Sequence, residues 1–503
     1  MAGRDPTIAL PDLDTRSGLA LVGAAAGGVA AAAAVISPLA AVGIMAVSAT
    51  MLLLALGQGV VPLFHGLLAI ALVGYTFLNR GFAHVGAGGV FVSELVVAIA
   101  LFAILARVWH TRLGVGHLAI ALFMAWGALR TFPYLGEHGI DAFRDGVAWG
   151  YAIIAIALSM TMTRGTFGRA VEWYRRLAPA LVWWVPVAVI LSRVYGDAIP
   201  TFPGAEVPIL FVKPGDAGVH LGGIAAFMLV GLFGSPARRA LVTIITWVGW
   251  FISLGLVSAL NRGGMLSAAM AGLSLLFVRR LSPLLMAGAL ALGVLAMGWL
   301  VNPQLSIGGE RELSFQQITT NVTSIVGGGD PSAQPHGTAE WRLEWWDKIV
   351  GYTVEGPYFW TGKGYGVNLA DSDDFQVLAD GSLRSPHSAH FEILARSGVP
   401  GLATWIMLNA TIALVALRVA YRAWKLRADW WLAVLTWIGI IWLATLVNMS
   451  FDVYLAGPMG GFVYWASVGA ILALDRILGR DPADRAGDDP ARPPDGEGLT
   501  WRS

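Results

Sequence analysis

Apolar stretches, each near the length of one bilayer crossing, recur along this 503-residue chain from close to its start to close to its end. A membrane-spanning helix takes about 20 such residues. Fourteen of them lie near 18–36, 38–56, 60–78, 87–106, 114–131, 146–163, 178–194, 217–234, 238–258, 262–278, 282–301, 389–417, 428–447 and 456–475. Composition agrees. Hydrophobic residues make up 56% and charged residues 13%, against roughly 25% charged in a soluble domain. A soluble enzyme, a disordered chain and a fibrous repeat are thereby excluded. The expected fold is an all-α polytopic membrane protein with about 12–14 transmembrane helices and one large extracytoplasmic loop between spans 11 and 12.

The net charge of +1 hides a segregation. With the N-terminus placed in the cytoplasm, the inside loops collect Arg107, Arg112, Arg164, Arg169, Arg175, Arg176, Arg238, Arg239, Arg279, Arg280, Arg418, Arg422, Lys425 and Arg427. The outside connections hold only Arg80, Arg130, Arg144, Arg193, Lys213 and Arg262. Cationic short loops stay in the cytoplasm, so this orientation is the expected one. No basic stripe suits nucleic acid. With no cysteine, thiolate metal sites and redox pairs are excluded. The domain plan is a cytoplasmic N-terminus (1–17), transmembrane helices 1–11 (18–301), the loop (302–388), helices 12–14 (389–477) and a disordered cytoplasmic tail (478–503). That tail, rich in Asp, Pro, Gly and Arg, buries no core.

The loop at 302–388 is far longer than an ordinary connection, which points to function. Residues 339–352 read as a short helix with Trp341, Trp345, Ile349 and Tyr352 on one face. That face fits equally a membrane–water interface and a small core within the loop.

Three features could carry chemistry. Arg262, in Asn261-Arg262-Gly263-Gly264 at the outer edge of a span, opposes the orientation rule; it is either a snorkelling cation or a fixed charge for an anionic ligand, which a guanidinium fork suits. Arg130, Arg193 and Lys213 are further outer-side candidates. His387 follows the helix-start pair Ser385-Pro386, which predicts it in the first turn of span 12; a neutral imidazole there accepts a proton near pH 7. His387 and His390 are spaced for a metal pair, but no further ligand cluster accompanies them, and no metal is expected. Gly362, Gly364 and Gly366 superficially resemble a phosphate loop without its strand–helix context; they predict a tight turn instead. A solute transporter is the rival class. It needs polar groups near the bilayer midplane, for which His65 and Glu94 are the best candidates. The absence of an internal repeat mildly disfavours it.

Taken in order, these residues resemble the O-antigen ligase and polymerase superfamily. Arg262 with its glycines, Arg342 with Trp346 as Arg-x-x-x-Trp, the turn Gly362-x-Gly364-x-Gly366, and His387 followed by Gly398 and Gly401 match its motifs over roughly 205–450. The chain departs from the pattern at Ser388 (usually Asn), Arg396 (usually Glu), Asn261 (often Ser) and Lys213 (Arg in members). The resemblance implies metal-independent, inverting glycan transfer with no cofactor at the outer face of a bacterial inner membrane. The donor would be an undecaprenyl-diphosphate-linked glycan and the acceptor a hydroxyl of a glycan or lipid core, among membrane lipids and without nucleic acid. It implies His387 as the catalytic base, Arg262, Arg342, Lys213 and Arg193 as donor-diphosphate ligands, and Gly362, Gly364, Gly366, Gly398 and Gly401 as support for the turn. Ligase, polymerase and protein O-oligosaccharyltransferase remain open within it.

Overall fold

The computed structural model describes residues 59–479, apart from 88–89, 203–206, 235–239, 278–283 and most of 286–337. The apolar segments expected at 18–36 and 38–56, most of that at 282–301, the N-terminus, much of the loop before residue 338 and the tail from 480 lie outside the described residues.

The described chain is helical, apart from two hairpins of two-residue strands, Gly86–Ala87 with Val90–Phe91 and Leu305–Ser306 with Glu312–Leu313. Its principal helices are α1 Val60–Leu78, α2 Val92–Leu105, α3 Val115–Thr131, α4 Ala152–Thr161, α5 Arg164–Val194, α6 Pro214–Leu229, α7 Ala240–Leu260, α8 Arg262–Ala269, α9 Thr338–Thr353, α10 Ala389–Lys425, α11 Asp429–Met449 and α12 Pro458–Leu478. Among the described residues seven helices are long and apolar enough to cross a membrane, and three shorter apolar helices accompany them. The protein is therefore a polytopic all-α membrane protein.

Burial sorts the helices. The membrane-length windows of α11 and α12 are 67% and 83% buried, against 28% for α1. The last two helices thus form the middle of the bundle: α12 packs on α4 and α10, and α11 on α6 and α10. The helix α6 is buried around nearly its whole circumference, from Gly215 to Leu229. It can sit there because it is rich in glycine. A Cβ at Gly218 would lie 2.2 Å from the Gly264 carbonyl oxygen, so α6 and α8 touch backbone to backbone, the close approach small residues permit in membranes.

Two helices run well beyond their apolar segments. The helix α5 starts at Arg164 rather than near 178, because Thr163 caps it, accepting from the Thr166 amide at 3.3 Å, and Glu172 pairs with Arg175 and Arg176 within the following turns. The helix α10 continues to Lys425, with Arg418 and Arg422 both paired to Asp475 of α12. Hydropathy finds the part of a helix in lipid; caps and i,i+4 pairs carry it further into water.

The amphipathic stretch of the loop is α9. Trp345 and Ile349 are wholly buried and pack with Leu369, Ala370, Leu383, Leu394 and Ala395. The Trp345 indole donates to Asp373 Oδ2 at 2.7 Å and its ring stacks on Phe375. Of the two readings of this face, the small core within the loop is the one the structure adopts.

Candidate active site around the 450–453 turn

The segment leading into α10 places His387. The helix begins at Ala389, so His387 precedes its first turn rather than lying within it, and Ser388 is the extended cap residue. His387 has φ +52°, a left-handed conformation that costs about 1 kcal/mol outside glycine. The sequence reading missed this because Ser-Pro marks a helix start only to within a residue or two. Two tryptophans hold the segment down. Trp346 Nε1 donates to the Pro386 carbonyl at 2.8 Å, and its ring stacks on Phe391 at 4.6 Å. Trp341 lies against the His387 ring at 6.0 Å between centroids. Arg342 sits one helical turn before Trp346 on the same side of α9. The Arg-x-x-x-Trp spacing is thus an anchor and the cation it delivers.

That cation reaches the turn after α11. Arg342 Nη1 donates to the Phe451 carbonyl at 3.4 Å. Gly263, the neighbour of Arg262, packs on the same residue, since a Cβ there would come within 3.1 Å of Phe451 Cβ. Asn261 caps α8 by accepting from the Gly264 amide at 2.7 Å, which fixes Arg262 as the first helical residue. Lys213 Nζ donates to both carboxylate oxygens of Asp452, at 3.3 and 3.1 Å. Arg342, Lys213 and Asp452 all act electrostatically on His387. Three of the sequence candidates, Arg342, Lys213 and His387, therefore gather around residues 450–453, and the backbone beside Arg262 meets the same turn through Gly263. Arg193 lies in the exposed last turn of α5.

The charges are set by their surroundings. Burial, and then the Arg342 guanidinium, push the His387 imidazole down to about 4 against the opposing pull of Asp452. It is therefore neutral at pH 7 and free to accept a proton. Burial alone would lower the Lys213 ammonium; the Asp452 and Asp216 carboxylates more than offset it and hold Lys213 charged. Burial would likewise raise Asp452, but Lys213 and the Val453 amide outweigh it, and the carboxylate stays below its ordinary range. Such a cluster sets the Arg342 guanidinium and the Lys213 ammonium beside a neutral base.

The glycines have a common purpose. Gly362, Gly364 and Gly366 adopt φ of +59°, +92° and +102°. The helix α10 is broken at Gly398 (φ 69°, ψ −173°), two residues before Pro400. The carbonyls bared by that break accept from the glycine turn: Lys363 N to Ala395 O at 2.7 Å and Gly364 N to Arg396 O at 3.0 Å, while Val399 N donates to Phe359 O at 2.8 Å. A Cβ at Gly362 would strike the Arg396–Ser397 peptide, and one at Gly398 the Phe359 oxygen, each at 2.4 Å. At Gly401 it would meet Ser397 Oγ. The turn and the kink fit because neither carries a side chain.

Residues near the start of the described chain complete the site. Arg130 Nε donates to Thr361 O at 2.7 Å, so this cation is engaged by the turn. Asp145 accepts from the Gly366 amide at 3.1 Å and pairs with Arg396 at 2.9 Å and Arg384 at 3.2 Å. Arg396 also pairs with Glu392 at 3.0 Å, which accounts for an arginine at that position. Asp216, 1% exposed, accepts from Asn79 at 2.9 Å and Asn448 at 3.1 Å. Sequence reading missed Asp452, Asp216 and Asp145. The signal for Asp452 is an acid at the edge of an apolar span. Asp145 and Asp216 carried none, because their partners lie far along the chain.

His390 is engaged on both ring nitrogens: its Nδ1 accepts from the Trp405 indole at 3.0 Å and its Nε2 meets Ser450 Oγ at 3.2 Å. The transport candidates are likewise engaged, His65 with Thr161 Oγ1 at 2.9 Å and Glu94 as acceptor from the Phe91 amide at 2.9 Å.

Bundle and cluster together define a multi-pass membrane protein that presents fixed cations and a neutral histidine at one end. The family model described as O-antigen ligase matches residues 223–406, a match that supports membership of the O-antigen ligase superfamily. The matched stretch contains Arg262, Arg342, His387 and all five glycines, and supports glycan transfer of the ligase or polymerase type in general. No curated protein matched the chain in a sequence search.

Proposed function

We propose that the protein transfers a glycan from undecaprenyl diphosphate to a hydroxyl of a glycan or lipid-core acceptor, at the outer face of a bacterial inner membrane, with inversion and without a metal. The observation that carries this reading is the gathering of Arg342, Lys213 and His387 around one turn, which the backbone beside Arg262 also meets. The acceptor oxygen attacks the anomeric carbon while the bond from that carbon to the diphosphate oxygen breaks. The electron pair leaves with undecaprenyl diphosphate, and the hydroxyl proton passes to His387 Nδ1 or Nε2. Negative charge grows on the leaving diphosphate, and cations already in place stabilise it there without reorganising. Arg262 and Arg342 supply the guanidinium forks, Lys213 a point charge steadied by Asp452, and Arg193 an outer contact along the donor. General-base assistance contributes about 10²–10⁴-fold.

The test is the surface-glycan and lipid-linked glycan profile of a deletion strain, complemented with wild type, His387→Ala, Arg262→Ala or Arg342→Ala at matched protein levels. Long glycans stranded on undecaprenyl diphosphate identify a ligase, and single repeat units a polymerase. Wild-type transfer by His387→Ala and Arg262→Ala would remove this assignment.

A further inference from the structure

Around the glycine turn the protein exposes large apolar side chains outside its spans. Trp360 is 69% exposed, Ile140 74% and Phe143 61%. They border one structure. Trp360 immediately precedes Thr361, whose carbonyl Arg130 holds, and a Cβ at Gly366 would meet Ala142 and His138. In the short helix Ile140–Asp145, Ala142 and Asp145 face inward and are buried, which turns Ile140 and Phe143 outward. Left in water, these groups would make the kind of apolar patch that marks a docking surface.

What covers them follows from position and chemistry. The patch continues α3, whose apolar span extends to His138 and whose end carries Phe132, 63% exposed. It mixes tryptophan and phenylalanine with Arg130 and Arg144, the latter half exposed beside Asp141. Tryptophan with a nearby arginine is the composition of the headgroup layer, where the ring meets acyl chains and the guanidinium meets phosphate. The outward side of α9 differs: Glu340, Glu344 and Asp347 are exposed there and must stay hydrated. We infer that Ile140, Phe143 and Trp360 seat the loop-bearing end of the protein in the headgroup layer of the bilayer, so that the glycine turn rests on the lipid surface instead of standing in water.

The chain has no cysteine, so single-cysteine variants report cleanly. Ile140→Cys, Phe143→Cys, Trp360→Cys and, as a hydrated control, Glu344→Cys would be labelled with a polarity-sensitive fluorophore in the full-length protein. Each would be placed in phosphatidylcholine–phosphatidylglycerol nanodiscs. The expected result is blue-shifted emission at 140, 143 and 360, lost in large part to nitroxide-headgroup lipid and little changed by iodide, with the reverse at 344. Iodide quenching at all four positions alike would overturn the inference. So would protection of 140, 143 and 360 from both quenchers, which would mean a second protein copy covers the patch.

Discussion

At the residue scale, His387 is held neutral by burial and by Arg342, and this gives a pH signature. Its pKa in the fold is about 4 against 6.5 for a free imidazole. The unfolded chain therefore binds the proton first as pH falls. This residue costs no stability above about 6.5, costs progressively more below it, and costs the full amount below about 4. The acid limb of kcat/KM, which reports the free enzyme, is expected close to pH 4; a limb at 6.5 would mean that burial and Arg342 do not hold the imidazole down in the working enzyme. A second expectation concerns Arg396. Replacing it with glutamate, the residue common in the family, would bury a third carboxylate with Asp145 and Glu392. Breaking a buried ion pair costs about 3–5 kcal/mol, so Arg396→Glu should sharply reduce the thermal midpoint in detergent and the yield of folded protein. Family likeness points to glutamate there; the local charge balance of this chain requires arginine.

At the scale of elements, the turn 361–366 and the break in α10 form one joint. Alanine at Gly398 would pay about 1–2 kcal/mol for left-handed backbone and in addition collide with the Phe359 oxygen. Gly398→Ala should therefore lower the thermal midpoint and loosen the joint, read as faster hydrogen exchange at Lys363 and Gly364. Gly351, a helical glycine of α9 with open space around it, should accept alanine with little change. Spacing located these glycines but could not say what each faces, since that depends on a partner tens of residues away. The same limit applies to α9: its apolar face was legible at i, i+4, i+8, but lipid and a private core draw the same pattern.

At the scale of the molecule, the family match begins at residue 223, yet Asn79, Arg130 and Asp145 all hold parts of the site. Asn79→Leu would leave one oxygen of buried Asp216 without its donor, a penalty of about 1–3 kcal/mol. It should lower stability, and the loss should be non-additive with Asn448→Leu in a double-mutant cycle. Hydropathy specified the lipid-borne parts of the described helices, because lipid demands that every backbone polar group be satisfied within its own segment. That is a local requirement, and a local pattern records it. Arg262, His387 and the glycine spacing were visible for a related reason: a charge at a span edge and a glycine triplet are conspicuous in a chain so apolar. Which cations meet, which carboxylate steadies them and which are spent on the scaffold were not local facts. Lys213 and Asp452 are joined only by the packing of α6 against α11, and Arg130 was withdrawn from the cationic set only by the approach of Thr361. Such pairings depend on distances set by the folded bundle, where burial makes an unpaired charge too costly to leave alone.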